Sequence, residues 1–86
     1  MSGPAILITG AGAGIGRATA RAFLAAGWDV SLLGRRAGAL EETAQGHAAR
    51  ILPCDVGDPA GVAAAFARLP RLDVLFNNAG ISAPAA

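Results

Sequence analysis

The chain contains no tyrosine and no lysine, and all seven of its basic residues are arginine. Any mechanism that needs a phenol or an amine is therefore closed to these 86 residues on their own. A single cysteine, Cys54, excludes an internal disulfide and argues against a metal cluster. The formal net charge of +1 is too small to point to nucleic acid or to an anionic membrane surface. No apolar run approaches the roughly 20 residues of a membrane span. No basic leader precedes the first apolar run, so no signal peptide is expected and a cytoplasmic protein is.

What is present is small and apolar. Hydrophobic residues make up 53% of the chain, which excludes disorder. Alanine dominates that fraction, so the buried area per residue is modest, and the length allows one domain at most. The organising stretch is Thr9-Gly10-Ala11-Gly12-Ala13-Gly14-Ile15-Gly16, with four glycines within seven residues. It follows the apolar run Ala5-Ile6-Leu7-Ile8 and precedes an alanine-rich run with helical spacing. Strand, glycine turn and helix start form a phosphate-binding arrangement. Glycine permits positive φ there and lets backbone approach a pyrophosphate, while the helix N-terminus turns N–H groups and its dipole toward the anion.

The chain alternates β-α-β-α-β-α-β with short connections. Strands are expected at Ala5 to Thr9, Val30 to Leu33, Arg50 to Cys54 and Leu72 to Phe76. Pro53 is tolerated only at a strand end or edge. The first helix is expected from Gly14 to Ala26, with Ile15, Ala18, Thr19, Ala22, Phe23 and Ala26 inward and Arg17 and Arg21 on the opposite side. A second helix runs from about Gly38 to Gln45, with Leu40 and Ala44 inward and Gly46 as its stop. The third starts at Asp58-Pro59, with Asp as N-cap, and runs to about Leu69, with Val62, Phe66 and Leu69 apolar. This alternation predicts an α/β fold: a four-stranded parallel sheet in order 3-2-1-4 with three crossover helices, a partial doubly wound Rossmann arrangement. The crevice between the first and fourth strands is then the switch point where ligands bind.

Three segments together resemble the short-chain dehydrogenase/reductase family. The glycine turn looks like its TGxxxGIG motif, Cys54-Asp55-Val56 like the segment whose aspartate contacts adenine, and Asn77-Asn78-Ala79-Gly80 like its NNAG segment. The resemblance covers nearly the whole chain, but only the first part of the family's fold, since members are about three times as long. Residues 1–86 therefore read as the N-terminal portion of a dinucleotide-binding domain that is expected to continue further. The family's catalytic serine and Tyr-x-x-x-Lys pair lie beyond the matched part. Ser82 follows the NNAG segment too closely to be that serine, so no catalytic residue is assigned and the 86 residues alone are expected to be inactive.

The resemblance implies a parent oxidoreductase that moves hydride between a nicotinamide dinucleotide and a carbonyl or alcohol substrate. Its cofactor-binding residues here are Thr9, Gly10, Gly14, Ile15, Gly16, Arg35, Arg36, Asp55, Val56, Asn77, Ala79 and Gly80. Thr9 either bonds local backbone or contacts cofactor, and Ile15 faces either the cleft or the core. Asp55 contacts adenine or bonds nearby loop N–H groups, and Asn78 bonds backbone between strands. Gly34 stands at the end of the second strand, where an acidic residue would hold a ribose 2′-OH, and two arginines follow it. Guanidinium groups suit a 2′-phosphate, so NADP(H) is favoured over NAD(H). Ala13 departs from the pattern, standing where some NADP-preferring relatives carry a second basic residue. Asp29 sits at the wrong end of its strand for the acidic role.

His47 reads as solvated surface, Cys54 as a small buried residue and Trp28 as a plug at the base of the sheet. No metal site is expected. The small-molecule substrate, and a homo-oligomer, belong to a longer parent. Two alternatives stand beside this one: a stand-alone nucleotide-binding module, and a truncated fragment without function, which an unprotected fourth-strand edge would favour.

Overall fold

The computed structural model describes residues 3–78. The elements run β1 (Ala5–Thr9), α1 (Gly14–Ala25), β2 (Asp29–Gly34), α2 (Ala37–Ala44), β3 (Arg50–Pro53), α3 (Pro59–Ala67) and β4 (Val74–Asn77). All strand pairs are parallel, and the sheet order is β3-β2-β1-β4. Register places Ala5 opposite Asp29 and Ile6 opposite Val74, so all four carboxyl ends lie on one rim.

The period of two along each strand divides the core between the two sheet faces. Ile6, Ile8, Val30 and Leu32 face α1 and α2, where they meet Ala20, Leu24, Leu40 and Ala44. Leu7, Leu33 and Leu52 face α3, where Ala65 is the buried helix residue. β1 is buried along its whole length, as its continuous apolar run predicts for a central parallel strand. The first face is therefore thick and the second thin.

Element ends differ from the sequence expectation by a residue or two. β2 gains Asp29 and Gly34, and β3 ends at Pro53, leaving half-buried Cys54 just outside it. α2 ends at Ala44, with Gln45 left-handed at φ 50 and Gly46 at φ 84 completing the stop. Asp58 occupies the N-cap position of α3 before Pro59, yet its side chain makes no capping bond. Leu72 lies outside β4, because Asp73 already docks onto β1: its N–H donates to the Ala5 carbonyl at 2.9 Å, and its carboxylate accepts the Ala5 N–H at 2.8 Å. Arg71 reaches the same carboxylate oxygen at 2.8 Å. The Ala5 N–H, against the opposing effect of desolvation and with help from Arg71, holds the Asp73 carboxyl below its ordinary range.

The largest correction concerns α1. Its buried residues are Gly16, Ala20 and Leu24, with half-buried Phe23 packed on the same core. Ile15, Ala18, Ala22 and Ala26, expected inward, are exposed. A helix this rich in alanine carries small apolar residues on several sides, so periodicity does not select the face. Close approach does: Gly16 and Ala20 let the helix backbone settle onto the sheet. Arg17 and Arg21, expected to face solvent, instead turn toward α2. Trp28 does sit at the amino-end rim of the sheet, its ring edge-on to Phe23 with centroids 4.7 Å apart.

Candidate functional site

β1 delivers the chain to the carboxyl-end rim at Thr9. Gly10 then turns at φ 64 and Gly14 at φ 57, the left-handed region where a side chain is strained. The Ala11 N–H donates to the Leu33 carbonyl at 3.3 Å, fastening the turn to the end of β2. α1 begins directly afterwards, with extended Ala13 as an N-cap that has no side-chain acceptor and no acidic residue in the first turn. Its first N–H groups have no intrahelical partner, and the positive end of the dipole faces the rim.

Gly16 explains the tight return of helix onto turn. A Cβ there would run into the Gly10 carbonyl oxygen and come within 2.9 Å of Asn78 Nδ2. Asn78 in turn donates from Nδ2 to the Gly10 carbonyl at 3.4 Å, bridging the turn to the segment after β4.

Beside the turn opens a cleft of about 530 Å³ at the carboxyl ends of the strands, where the order reverses between β1 and β4. Gly10, Gly14, Ile15, Arg35, Asp55 and Val56 all line it. Its size lies within the ordinary range of small-molecule sites. Ile15 is 68% exposed, so of its two readings the cleft is the one it occupies. A smaller hollow of about 310 Å³ adjoins on the α2 side, lined by Gly12, Ala13, Gly34, Arg35, Arg36 and Ala39, among others. Arg35 and Arg36 are exposed, and neither guanidinium makes a hydrogen bond or ion pair among the described residues.

The remaining candidates divide. Asp55 lines the cleft while its Oδ1 accepts the Gly57 N–H at 2.9 Å, so the loop bond forms and leaves Oδ2 unbonded among the described residues. Thr9 is buried and turned to the α3 face. Its hydroxyl lies 3.1 Å from Asn77 Oδ1 and 3.5 Å from the Phe76 carbonyl, tying β1 to β4. Thr9 and Asn77 border a hollow on that face with Val56, Val62 and Phe66, rather than the main cleft. Ala79 and Gly80 lie outside the described residues, as does Ser82. His47 is exposed. No group of three or more His, Cys, Asp or Glu side chains could hold a metal among the described residues, and no described helix is long and apolar enough to cross a membrane.

Sequence reasoning missed the arginines of α1. Arg17 donates to the Gly12 carbonyl at 2.7 Å and to Thr43 Oγ1 at 2.9 Å, and Arg21 donates to the Glu42 and Thr43 carbonyls at 3.1 and 3.3 Å. Arg21 thereby serves last-turn carbonyls of α2 that lack helical partners. The only sequence signal was the i, i+4 spacing of two arginines, which by itself does not tell a solvated face from a helix–helix seam.

The short chain dehydrogenase profile matches residues 4–86. The chain belongs to the short chain dehydrogenase family. It is 46% identical over 88 residues to a serine 3-dehydrogenase of Agrobacterium fabrum, covering 95% of this chain and 35% of that protein. It is 46% identical over 85 residues to a sulfoacetaldehyde reductase of Chromohalobacter salexigens, covering 90% of this chain and 34% of that one. Among solved structures, a short chain dehydrogenase/reductase family protein superposes with a TM-score of 0.81 at 42% identity, over 88% of this chain and 33% of the other. A closed serine dehydrogenase complexed with NADP+ superposes at 0.75 and 32% identity, over 83% and 31%. The chain thus spans about a third of the length of these relatives. The family binds NAD(P), and the glycine turn, cleft and sheet order described above are its Rossmann arrangement.

Proposed function

We propose that this chain holds the adenosine and pyrophosphate of NADP(H), as the N-terminal part of the dinucleotide-binding domain of an oxidoreductase acting on a carbonyl or alcohol. The residues fit the group. Two left-handed glycines and a helix start without a side-chain cap offer N–H groups to a pyrophosphate, and a Cβ at Gly14 would meet nothing within 4 Å, so the turn is open on that side. Ile15 and Val56, both exposed at the cleft, supply apolar surface for an adenosine, and Asp55 retains a carboxylate oxygen for an amino group.

The observation that carries the preference for NADP(H) is the pair of guanidiniums just after β2, without partners among the described residues, with Gly34 in place of a carboxylate. Each charge-assisted bond to a 2′-phosphate contributes about 1.5–3 kcal/mol. The missing carboxylate also removes a repulsion that would oppose the phosphate. When bound, the nicotinamide supplies the hydride chemistry. This chain's residues hold and orient the other end of the molecule. With no tyrosine or lysine among the 86 residues, the proton-transfer pair has to come from other sequence, and the chain by itself turns nothing over.

Equilibrium titration with NADP+ and NAD+ tests this reading. The expected result is saturable binding with NADP+ the tighter ligand. Arg35→Ala should weaken NADP+ by about tenfold or more while leaving NAD+ within about twofold. Equal loss for both dinucleotides, or no preference in the parent chain, overturns the NADP(H) assignment.

A further inference from the structure

Thr43 is a fully buried polar side chain in the middle of the α1–α2 seam. A valine would fill the same space without a hydroxyl to satisfy, so the hydroxyl calls for a reason. Its bonds give one. The Arg17 Nε–H donates to Thr43 Oγ1 at 2.9 Å, which leaves the single hydroxyl proton to be donated onward. The Ala11 carbonyl lies at 2.7 Å and the Ala39 carbonyl at 3.1 Å, so the shorter bond runs to the glycine turn. Arg17 Nη2 donates to the next turn carbonyl, Gly12, at 2.7 Å and also reaches the Ala39 carbonyl of α2 at 3.2 Å.

Two consecutive carbonyls of the turn are therefore drawn away from the cleft and bonded to α2. Peptide planes whose oxygens are held on one side present their N–H groups on the other. The same bonds fix where α2 stands relative to the turn. α2 starts one residue after Arg36, and Arg36 is its N-cap. Other contacts seat the body of α2: Leu40, under Gly34, and Ala44 are buried in the core, and Arg21 donates to the Glu42 and Thr43 carbonyls at the far end of the helix. The Arg17–Glu42 pair at 3.3 Å is mostly exposed on its acidic side and adds little.

We infer that Arg17 and Thr43 form a strut that sets the distance between the pyrophosphate turn and the arginines at the end of β2, and so determine selectivity for a 2′-phosphorylated adenosine without touching it. The inference rests on the NADP(H) reading above. Both are positioning residues. A ligand that spans both anchors is sensitive to their spacing, whereas one that uses the turn alone is not.

The test compares the unmodified chain with Thr43→Val, Thr43→Ser and Arg17→Lys in titrations with NADP+, NAD+ and adenosine 2′-monophosphate, each beside a thermal melt. Thr43→Val keeps the volume and removes the hydroxyl. Arg17→Lys keeps the charge and removes the fork that bonds the hydroxyl and a turn carbonyl together. Both should lower the NADP+ to NAD+ affinity ratio by about fivefold, roughly the worth of one hydrogen bond. Thr43→Ser should restore the ratio even where its melting temperature stays below that of the parent. The 2′-monophosphate has no 5′-phosphate to reach the turn and engages the arginines alone, so its affinity should change by less than about twofold.

A ratio unchanged in both variants, with NADP+ and NAD+ falling together, overturns the strut and leaves the function intact. A parent chain that binds neither dinucleotide overturns the function, and the strut falls with it. Should Thr43→Val fail to fold, Arg17→Lys decides alone.

Discussion

At the scale of single residues, the site rests on what glycine permits and what arginine supplies. Gly16 has no room for even a methyl group, since a Cβ would run into the Gly10 carbonyl. Gly16→Ala should therefore push α1 off the turn and cost about 1–3 kcal/mol, read as a lowered urea midpoint. Gly14 is different: its Cβ would meet nothing, and the penalty for Gly14→Ala is the left-handed φ of 57 alone, about 1–2 kcal/mol. The glycines were legible in the sequence because their chemistry is local. So were Arg35 and Arg36, which follow the strand end and line the cleft and the adjoining hollow respectively. Arg17 was not, because its partners Thr43 and Ala39 are brought near only by the packing of α1 on α2.

At the scale of elements, sheet order was legible and helix faces were less so. Short connections between alternating apolar runs leave parallel crossovers as almost the only solution. Alanine-rich α1 offered several stripes of equal hydropathy, and close approach through Gly16 and Ala20 chose among them. The start of β4 was misjudged for a similar reason. Leu72 suits a strand by composition, but Asp73, 68 residues from Ala5 in sequence, sets the first rung through its N–H and its carboxylate, both bonded to the Ala5 backbone. That contact carries a pH dependence. The folded Asp73 carboxyl titrates below its ordinary value, so the unfolded chain binds the extra proton first as pH falls. The stabilisation is complete above about pH 4 and is lost as pH drops through the folded value. Acid unfolding followed by circular dichroism should show this loss, and Asp73→Asn should flatten that part of the curve.

For the molecule as a whole, the two sheet faces are unequal. The face under α1 and α2 holds most of the buried side chains, while α3 buries Ala65 alone, and β4 keeps Val74 and Leu75 at 40% and 47% exposure. Local stability follows buried contact. Hydrogen exchange should therefore be slowest in β1 and β2 and faster by at least about tenfold in α3 and β4, and a uniform exchange profile would contradict the asymmetry. The cleft straddles both regimes. Its turn and Arg35 belong to the firm side, whereas Asp55 and Val56 sit on the loop into α3 and Asn78 follows β4. Ligand binding should accordingly protect the α3 and β4 amides more than those of β1.

The edge-on pair of Phe23 and Trp28 gives the chain an internal optical gauge. Trp28 is the one tryptophan, and it sits at the amino-end rim beside Asp29, a full strand length or roughly 17 Å from the cleft. Its emission responds to loss of the packed core, not to events at the opposite rim. Fluorescence of the unlabelled protein thus separates unfolding from ligand capture: a dinucleotide should shift the temperature at which the emission changes while leaving the native spectrum close to its starting shape.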